Sequence, residues 1–360
     1  WSAVGSTEFA ALSTSQLAAI GSAVLSADQL DTLTSAELAV LSTRTIASIT
    51  PSTLANLETA QITGLTSLQA AALTTAQIAS LSSDILDALS TLVIAAMTSA
   101  QLRALSTAAF VSLSSGQVAA INTRAFAGLS SVQIGAMSSE QIGSLTTGQM
   151  GLLSSSAIAG LTTEDLDALD SSDIAAISSR AIVGLSTASI AALETAQLAG
   201  LTTAQVKALT TAQISALTSS QIASLSNSQF SAMTSAQIRS LSTARISALD
   251  TDLVASLSSR MVGGLSTDQL AAMTTAQIEA LTPTQVGALG SAAISALEAA
   301  DLLVFSTADI AAIRTSAIAG LSTDDISDFT TAQIAALTSP QIQSMSPEQV
   351  AIVIAAYQAL

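Results

Sequence analysis

Residues 201–248 read LTTAQVKA, LTTAQISA, LTSSQIAS, LSNSQFSA, MTSAQIRS and LSTARISA, which is one eight-residue unit repeated without insertion or deletion. The same register runs from Leu25 to Val353, and a large apolar residue opens every unit. We call this unit the octad and number its positions from that residue. Position 6 is also large and apolar in every octad except the one that contains Ala70. So long a register predicts a tandem array rather than a set of globular domains.

The polar positions of the octad resemble the start of a helix. Position 2 is usually Ser or Thr, position 5 is usually Gln, Glu or Asp, and positions 7 and 8 are mostly small. The pattern Ser/Thr-x-x-Gln is a capping box, and apolar residues at positions 1 and 6 form the hydrophobic staple that accompanies it. Each octad therefore predicts a helix of about six residues. The exceptions at position 2 include Glu58, Glu194, Glu298 and Arg314.

Proline and acidic residues support this phase. Pro51, Pro283 and Pro347 all occupy position 3, the first helical position, where proline is favoured. Most acidic residues lie at positions 2 to 5, near the positive end of the helix dipole. Arginine at position 4 has no explanation in this scheme; it occurs as Arg44, Arg124, Arg180 and Arg260.

Two other structures compete with short helices. In a continuous helix, each octad would turn about 800°, so the apolar stripe would wind around the axis and face no single partner. In a strand, positions 1 and 6 would face opposite sides, and Ala and Gln are poor strand formers. A single short helix is unstable in water, so octads must stack. We predict an all-α solenoid of very short capped helices, one per octad, and keep a β-solenoid as the alternative.

The register divides the chain into three predicted regions. Residues 1–24 carry the motif in another frame, with Val4, Leu12 and Ile20 at position 1, and the frame slips by five residues before Leu25. Residues 25–346 form the octad solenoid. Residues 347–360 read as one longer helix that caps the array or docks to another subunit.

Composition argues against chemistry and against several partners. The net charge is −16, only 9 residues are Lys or Arg, and His and Cys are absent. We therefore expect no enzyme activity, cofactor, metal site or nucleic-acid partner. Ser, Thr or Gln interrupts every apolar run, so we expect no membrane span despite a mean hydropathy of +0.61. The densest acidic cluster, Glu164 to Asp170, does not match a calcium-binding loop, and we interpret the lone Lys207 as a solvated side chain.

Deviations from the repeat are the candidate interface residues. They lie in the aromatic N-terminal stretch, in two apolar clusters of the array, and in the terminal helix. Exposed apolar clusters often mark interfaces, although local repacking is an equal alternative. The candidates are Trp1, Phe9, Leu92, Val93, Leu303, Val304, Phe305, Ile354, Tyr357 and Leu360.

The unit LTTAQI, at residues 73–78 and 209–214, resembles tandem repeats of very long, Ala/Ser/Thr-rich bacterial secreted or surface proteins. Some of these carry haem-utilisation or adhesin labels. The resemblance implies an extracellular or cell-surface setting, but haem binding is not expected in a chain without His. We expect a structural protein, a rigid solenoid that assembles with copies of itself into a filament, sheath or stalk. The alternative is an adhesin arm that binds glycans or another ordered lattice through its rows of Ser and Thr.

Overall fold

The computed structural model describes residues 3–21 and 24–358, and every regular element in these residues is helical. The all-α prediction is confirmed, and the described residues contain no strand that would support the β-solenoid. The chain divides into two compact units, Trp1–Leu185 and Ser186–Leu360, which are described separately.

The first unit contains 21 α-helices and ends with a 3₁₀ helix at Ile182–Gly184. In chain order, α1 to α21 are Ser6–Ala10, Thr14–Ala18, Ala27–Leu30, Ser35–Val40, Thr43–Ser48, Pro51–Leu54, Thr59–Ile62, Ser67–Ala72, Thr75–Ser80, Ser83–Asp87, Thr91–Ala96, Ser99–Ala104, Thr107–Val111, Ser115–Ala120, Thr123–Phe126, Ser131–Gly135, Ser139–Gly143, Thr147–Met150, Ser155–Ile158, Thr163–Asp167 and Ser171–Ala176.

The second unit continues the same alternation of short helix and turn, with a 3₁₀ helix at Thr315–Gly320 between α37 and α38. In chain order, α22 to α41 are Thr187–Ala192, Thr195–Ala199, Thr203–Ala208, Thr211–Ala216, Ser219–Ala223, Asn227–Ser231, Ser235–Arg239, Thr243–Ser247, Thr251–Ser256, Ser259–Val262, Thr267–Ala271, Thr275–Glu279, Pro283–Val286, Ser291–Ile294, Ala299–Leu303, Thr307–Ala312, Thr323–Asp328, Thr331–Ala336, Ser339–Gln343 and Pro347–Gln358.

Helix α8 shows how an octad starts and stops a helix. Thr66 is the N-cap, and its hydroxyl accepts the backbone N–H of Gln69 while the Gln69 side chain accepts the backbone N–H of Thr66. The next position 1, Leu73, has φ −61° and ψ 138°, an extended conformation that ends the helix and turns the chain. Three prolines begin α6, α34 and α41, as the phase predicts.

Three octads complete one turn in each unit, because each helix packs on the third helix before it and the third after it. In the first unit this forms three stacks, of which one runs through α5, α8, α11, α14, α17 and α20. Positions 1 and 6 point inward, so Leu65 and Ile78 are buried like their counterparts in other octads. A helix too short to be stable alone is thus held by apolar contacts above and below it.

The two ends depart from this pattern. Helix α1 packs on α3 and α2 packs on α4, so two helices, rather than three, separate successive layers there. The residues around the frame slip, 22 and 23, lie outside the described part. At the other end, the longer helix predicted from Ser346 onward is present as α41, which packs on α38 and α39.

Candidate functional site

The glutamine at position 5 joins successive turns of the solenoid. The side-chain oxygen of Gln69 accepts the backbone N–H and the hydroxyl of Thr66 at 2.9 and 3.0 Å. Its amide nitrogen donates to the carbonyls of Leu38 and Leu41, both at 2.8 Å. Gln69 is 2% exposed, so one buried amide uses both its donors and its acceptor. We call this arrangement the glutamine clamp.

The glutamine clamp recurs at fixed sequence distances. Each such glutamine donates to carbonyls 28 and 31 residues earlier, which belong to the residues on either side of a turn between two octads. Since a buried carbonyl that lacks a donor is costly, the clamp stabilises every turn it reaches. Glutamines with both bonds include Gln61, Gln69, Gln77, Gln101, Gln117, Gln133, Gln149, Gln229, Gln237, Gln269, Gln277, Gln285, Gln333, Gln341 and Gln349.

Reasoning from the sequence identified this glutamine as half of a capping box and missed the clamp. A signal was present, since Glu serves a capping box as well as Gln. Glu nevertheless occurs at position 5 only once, as Glu37, in a chain with 25 acidic residues. Only Gln adds the two donors that reach the earlier turn.

Some octads place another residue in the clamp position. Val93 occupies position 5 and is buried, so its apolar side chain fills the space of the glutamine. Asp309 also lies there, and its Oδ2 accepts the backbone N–H of Ser306 at 2.9 Å. Its Oδ1 is buried without a hydrogen-bond partner, because the shorter carboxylate has no donor for the earlier turn.

The structure divides the candidate interface residues into three groups. Phe9, Val93 and Phe305 are buried in the core, and Val304 is half-buried. Trp1 and Leu360 lie outside the described residues. The surface candidates are therefore Leu92, Leu303, Ile354 and Tyr357, with exposed fractions of 74%, 41%, 51% and 43%.

The Tyr357 side chain has a polar contact as well as an exposed ring. Its hydroxyl donates to the backbone carbonyl of Ile334 in α39 at 3.4 Å. The terminal helix is thus attached to the array through its own tyrosine, while Ile354 faces outward.

Concave features on the described surface are shallow. The largest, of about 750 Å³, lies in the second unit and is open to solvent. Lys207 and Arg260 line it together with Ser235 and Met261. Lys207 is exposed, in agreement with its interpretation as a solvated side chain. The Ser235 hydroxyl donates to the backbone carbonyl of Arg260 at 3.2 Å.

The acidic cluster of the first unit is used for helix starts. Asp165 accepts the backbone N–H of Thr162 at 2.8 Å and the hydroxyl of Ser139 at 2.7 Å. Burial raises the pKa of the nearby Asp173 carboxyl, and the negative charge of Asp170 adds to the rise. Within the described residues, acidic side chains nowhere gather in the groups of three or more that could hold a metal ion.

Membrane insertion was tested on helix length and hydropathy. Over residues 3–21 and 24–358, no helix combines the length and the apolar character needed to cross a bilayer.

A family model described as the ALTTAQ repeat matches the chain at seven overlapping or successive places. Together these matches cover more than half of the chain, and they fall in both compact units. No curated protein is detectably similar to the chain. The matched residues are 94–127, 110–147, 166–203, 190–227, 225–259, 262–291 and 318–352.

Proposed function

Because the chain belongs to the ALTTAQ repeat family, we propose that it is a structural rather than a catalytic protein, a rigid solenoid that assembles with copies of itself. The observation that carries this proposal is the glutamine clamp. It repeats along both units and fixes each turn to the preceding one with buried hydrogen bonds. A chain stiffened at this spacing suits a load-bearing or spacing element.

The proposed setting is extracellular, as a filament, sheath or stalk on a bacterial surface. The acidic charge, the hydroxyl-rich exterior and the resemblance of LTTAQI units to repeats of secreted bacterial proteins support it. Labelling of intact producing cells with an antibody against the octad array tests the location. Signal only after cell lysis would contradict it.

Electron microscopy of the purified chain over a range of concentrations tests the self-assembly. We expect extended particles of uniform width that lengthen or associate as concentration rises. Sedimentation of the same samples measures the mass of the particles. Monodisperse monomers at every concentration would contradict self-assembly.

A glycan-binding or lattice-binding arm is the second candidate function. It is favoured by the exposed hydroxyls at position 3 of stacked helices, such as Thr43, Ser67 and Thr91. A glycan array and an ice-affinity assay with the wild-type chain test it. Replacement of these three residues by Ala removes the row while the position 2 caps remain. Equal binding by the variant, or no binding by the wild type, would refute this function.

A further inference from the structure

One stack of the first unit carries a row of exposed side chains with an ordered pattern. Helices α5, α8, α11, α14 and α17 pack one on the next, and each contributes its position 4 residue at intervals of 24 residues. All five residues are exposed. In order along the stack they are Arg44, Leu68, Leu92, Gly116 and Glu140, which we call the Leu92 row.

The centre of the Leu92 row is apolar. Leu68 and Leu92 are 76% and 74% exposed, more than any other large apolar side chain in the described residues. Their helices, α8 and α11, are in direct contact, so the two side chains form one patch rather than two isolated positions. Adjacent leucines left in water favour a partner that covers them.

The Leu92 row is complementary to itself when it is reversed. A two-fold axis through Leu92 places Leu92 against its own copy and Leu68 opposite Gly116 of the second chain. A Cβ atom at Gly116 would meet nothing within 4 Å, so space for the leucine exists there. The same axis places Arg44 opposite Glu140, which joins opposite charges at both ends of the contact.

The surroundings of the row allow two such faces to approach. Position 7 of the same helices is Ala47, Ala71, Ala95, Ala119 and Gly143. Stacked helices lie roughly 8–10 Å apart, so five of them span about 35–40 Å. That length suits an interface of standard size, about 800 Å² on each partner.

We propose that two copies of this chain pair antiparallel through the Leu92 row. The proposal rests on the proposed self-assembling function and names the face that forms its lateral contact. Leu92 contacts Leu92 at the axis, each Leu68 fills the space at the Gly116 of the other copy, and each Arg44 pairs with the Glu140 of the other copy.

Single cysteine variants test the axis, because the chain has no cysteine of its own. Only a residue on a two-fold axis lies close to its own copy, and a disulfide needs Cα atoms within about 7 Å. We expect Leu92→Cys to form a covalent dimer under mild oxidation by oxidised glutathione. Leu68→Cys should do so poorly alone, while Leu68→Cys combined with Gly116→Cys should cross-link.

Val132→Cys is the matched control. Val132 also occupies position 4 and is 67% exposed, but its helix α16 belongs to another stack. Circular dichroism checks that each variant keeps the helical fold. Equal cross-linking rates for Leu92→Cys and Val132→Cys would overturn the proposal.

A charge exchange tests the ends of the row. We expect Arg44→Glu to raise the dimer dissociation constant at least roughly tenfold, because the two-fold axis repeats each repulsion. Arg44→Glu combined with Glu140→Arg should restore dimerisation, measured by sedimentation equilibrium. Failure of the double variant to recover would contradict the pairing of these two residues.

The two proposals fail differently. Extended particles without preferential Leu92→Cys cross-linking would leave the scaffold proposal intact and remove this face. A cross-linked dimer that never forms longer particles would keep the face and contradict the filament.

Discussion

A single amide group carries much of the specificity of this fold. In Gln101, the side-chain oxygen accepts the backbone N–H of Thr98 at 2.7 Å, and the nitrogen donates to the carbonyls of Ala70 and Leu73 at 2.8 Å. The first bond starts a helix, and the other two bind that helix to the previous turn. Local and longer-range structure thus depend on the same side chain.

Replacing Gln101 by Met should show both roles. Met keeps the length and removes the polar atoms, so the cap is lost and two buried carbonyls lack their donor. We expect a loss of about 2–3 kcal/mol in the free energy of unfolding, measured by urea denaturation. Gln16→Met is the control, since Gln16 forms the same capping bonds with Ser13 but is exposed, and about 1 kcal/mol is expected. Equal losses would contradict a role for the clamp.

Asp309→Gln should have the opposite effect. The new amide would satisfy the earlier turn and remove the buried carboxylate oxygen that has no partner. We expect a gain of about 1–2 kcal/mol. At Asp165 both carboxylate oxygens are already bonded, so Asp165→Gln should gain less under the same denaturation assay. A destabilised Asp309→Gln would show that this position has another requirement.

At the scale of the element, the sequence predicted the helices well and their arrangement poorly. The caps at Thr66 and the prolines at helix starts follow from local residue chemistry, so the phase, the length and the all-α fold could be derived. Three octads per turn could not, because this number depends on how the buried glutamines and close backbones fit across turns. Val93 was misinterpreted as a surface candidate for the same reason: position 5 is polar in sequence yet buried in space.

The spacing between stacked helices can be tested at Gly64. A Cβ atom there would overlap the backbone carbonyl of Ser35 at the start of α4, so the two turns approach too closely for alanine. We expect Gly64→Ala to lower the free energy of unfolding by about 1–3 kcal/mol.

The matched control for that substitution is Gly135→Ala. A Cβ atom at Gly135, at the end of α16, would meet nothing within 4 Å. Alanine should therefore be neutral there or stabilise by up to about 1 kcal/mol. Thermal unfolding of both variants measures the difference, and equal unfolding temperatures would argue against the close approach.

At the scale of the whole molecule, the register is the property that every turn shares. Deleting Leu217–Ser224 removes one octad and lets later glutamines meet equivalent carbonyls. Deleting Ala223 alone shifts every later glutamine by one residue within the second unit. We expect the single deletion to destabilise that unit far more than the deletion of eight, as measured by circular dichroism during thermal unfolding. Equal effects would contradict the stacked solenoid.

Three octads per turn also has a consequence for how such an array changes in length. Adding one octad leaves the interior unchanged but moves every later side chain to the next of three faces. Adding three octads restores each side chain to its original face, one layer further along. Duplication of repeats therefore permutes surface patterns in cycles of 24 residues. Features such as a leucine pair on adjacent turns survive within the added segment only when it follows that cycle.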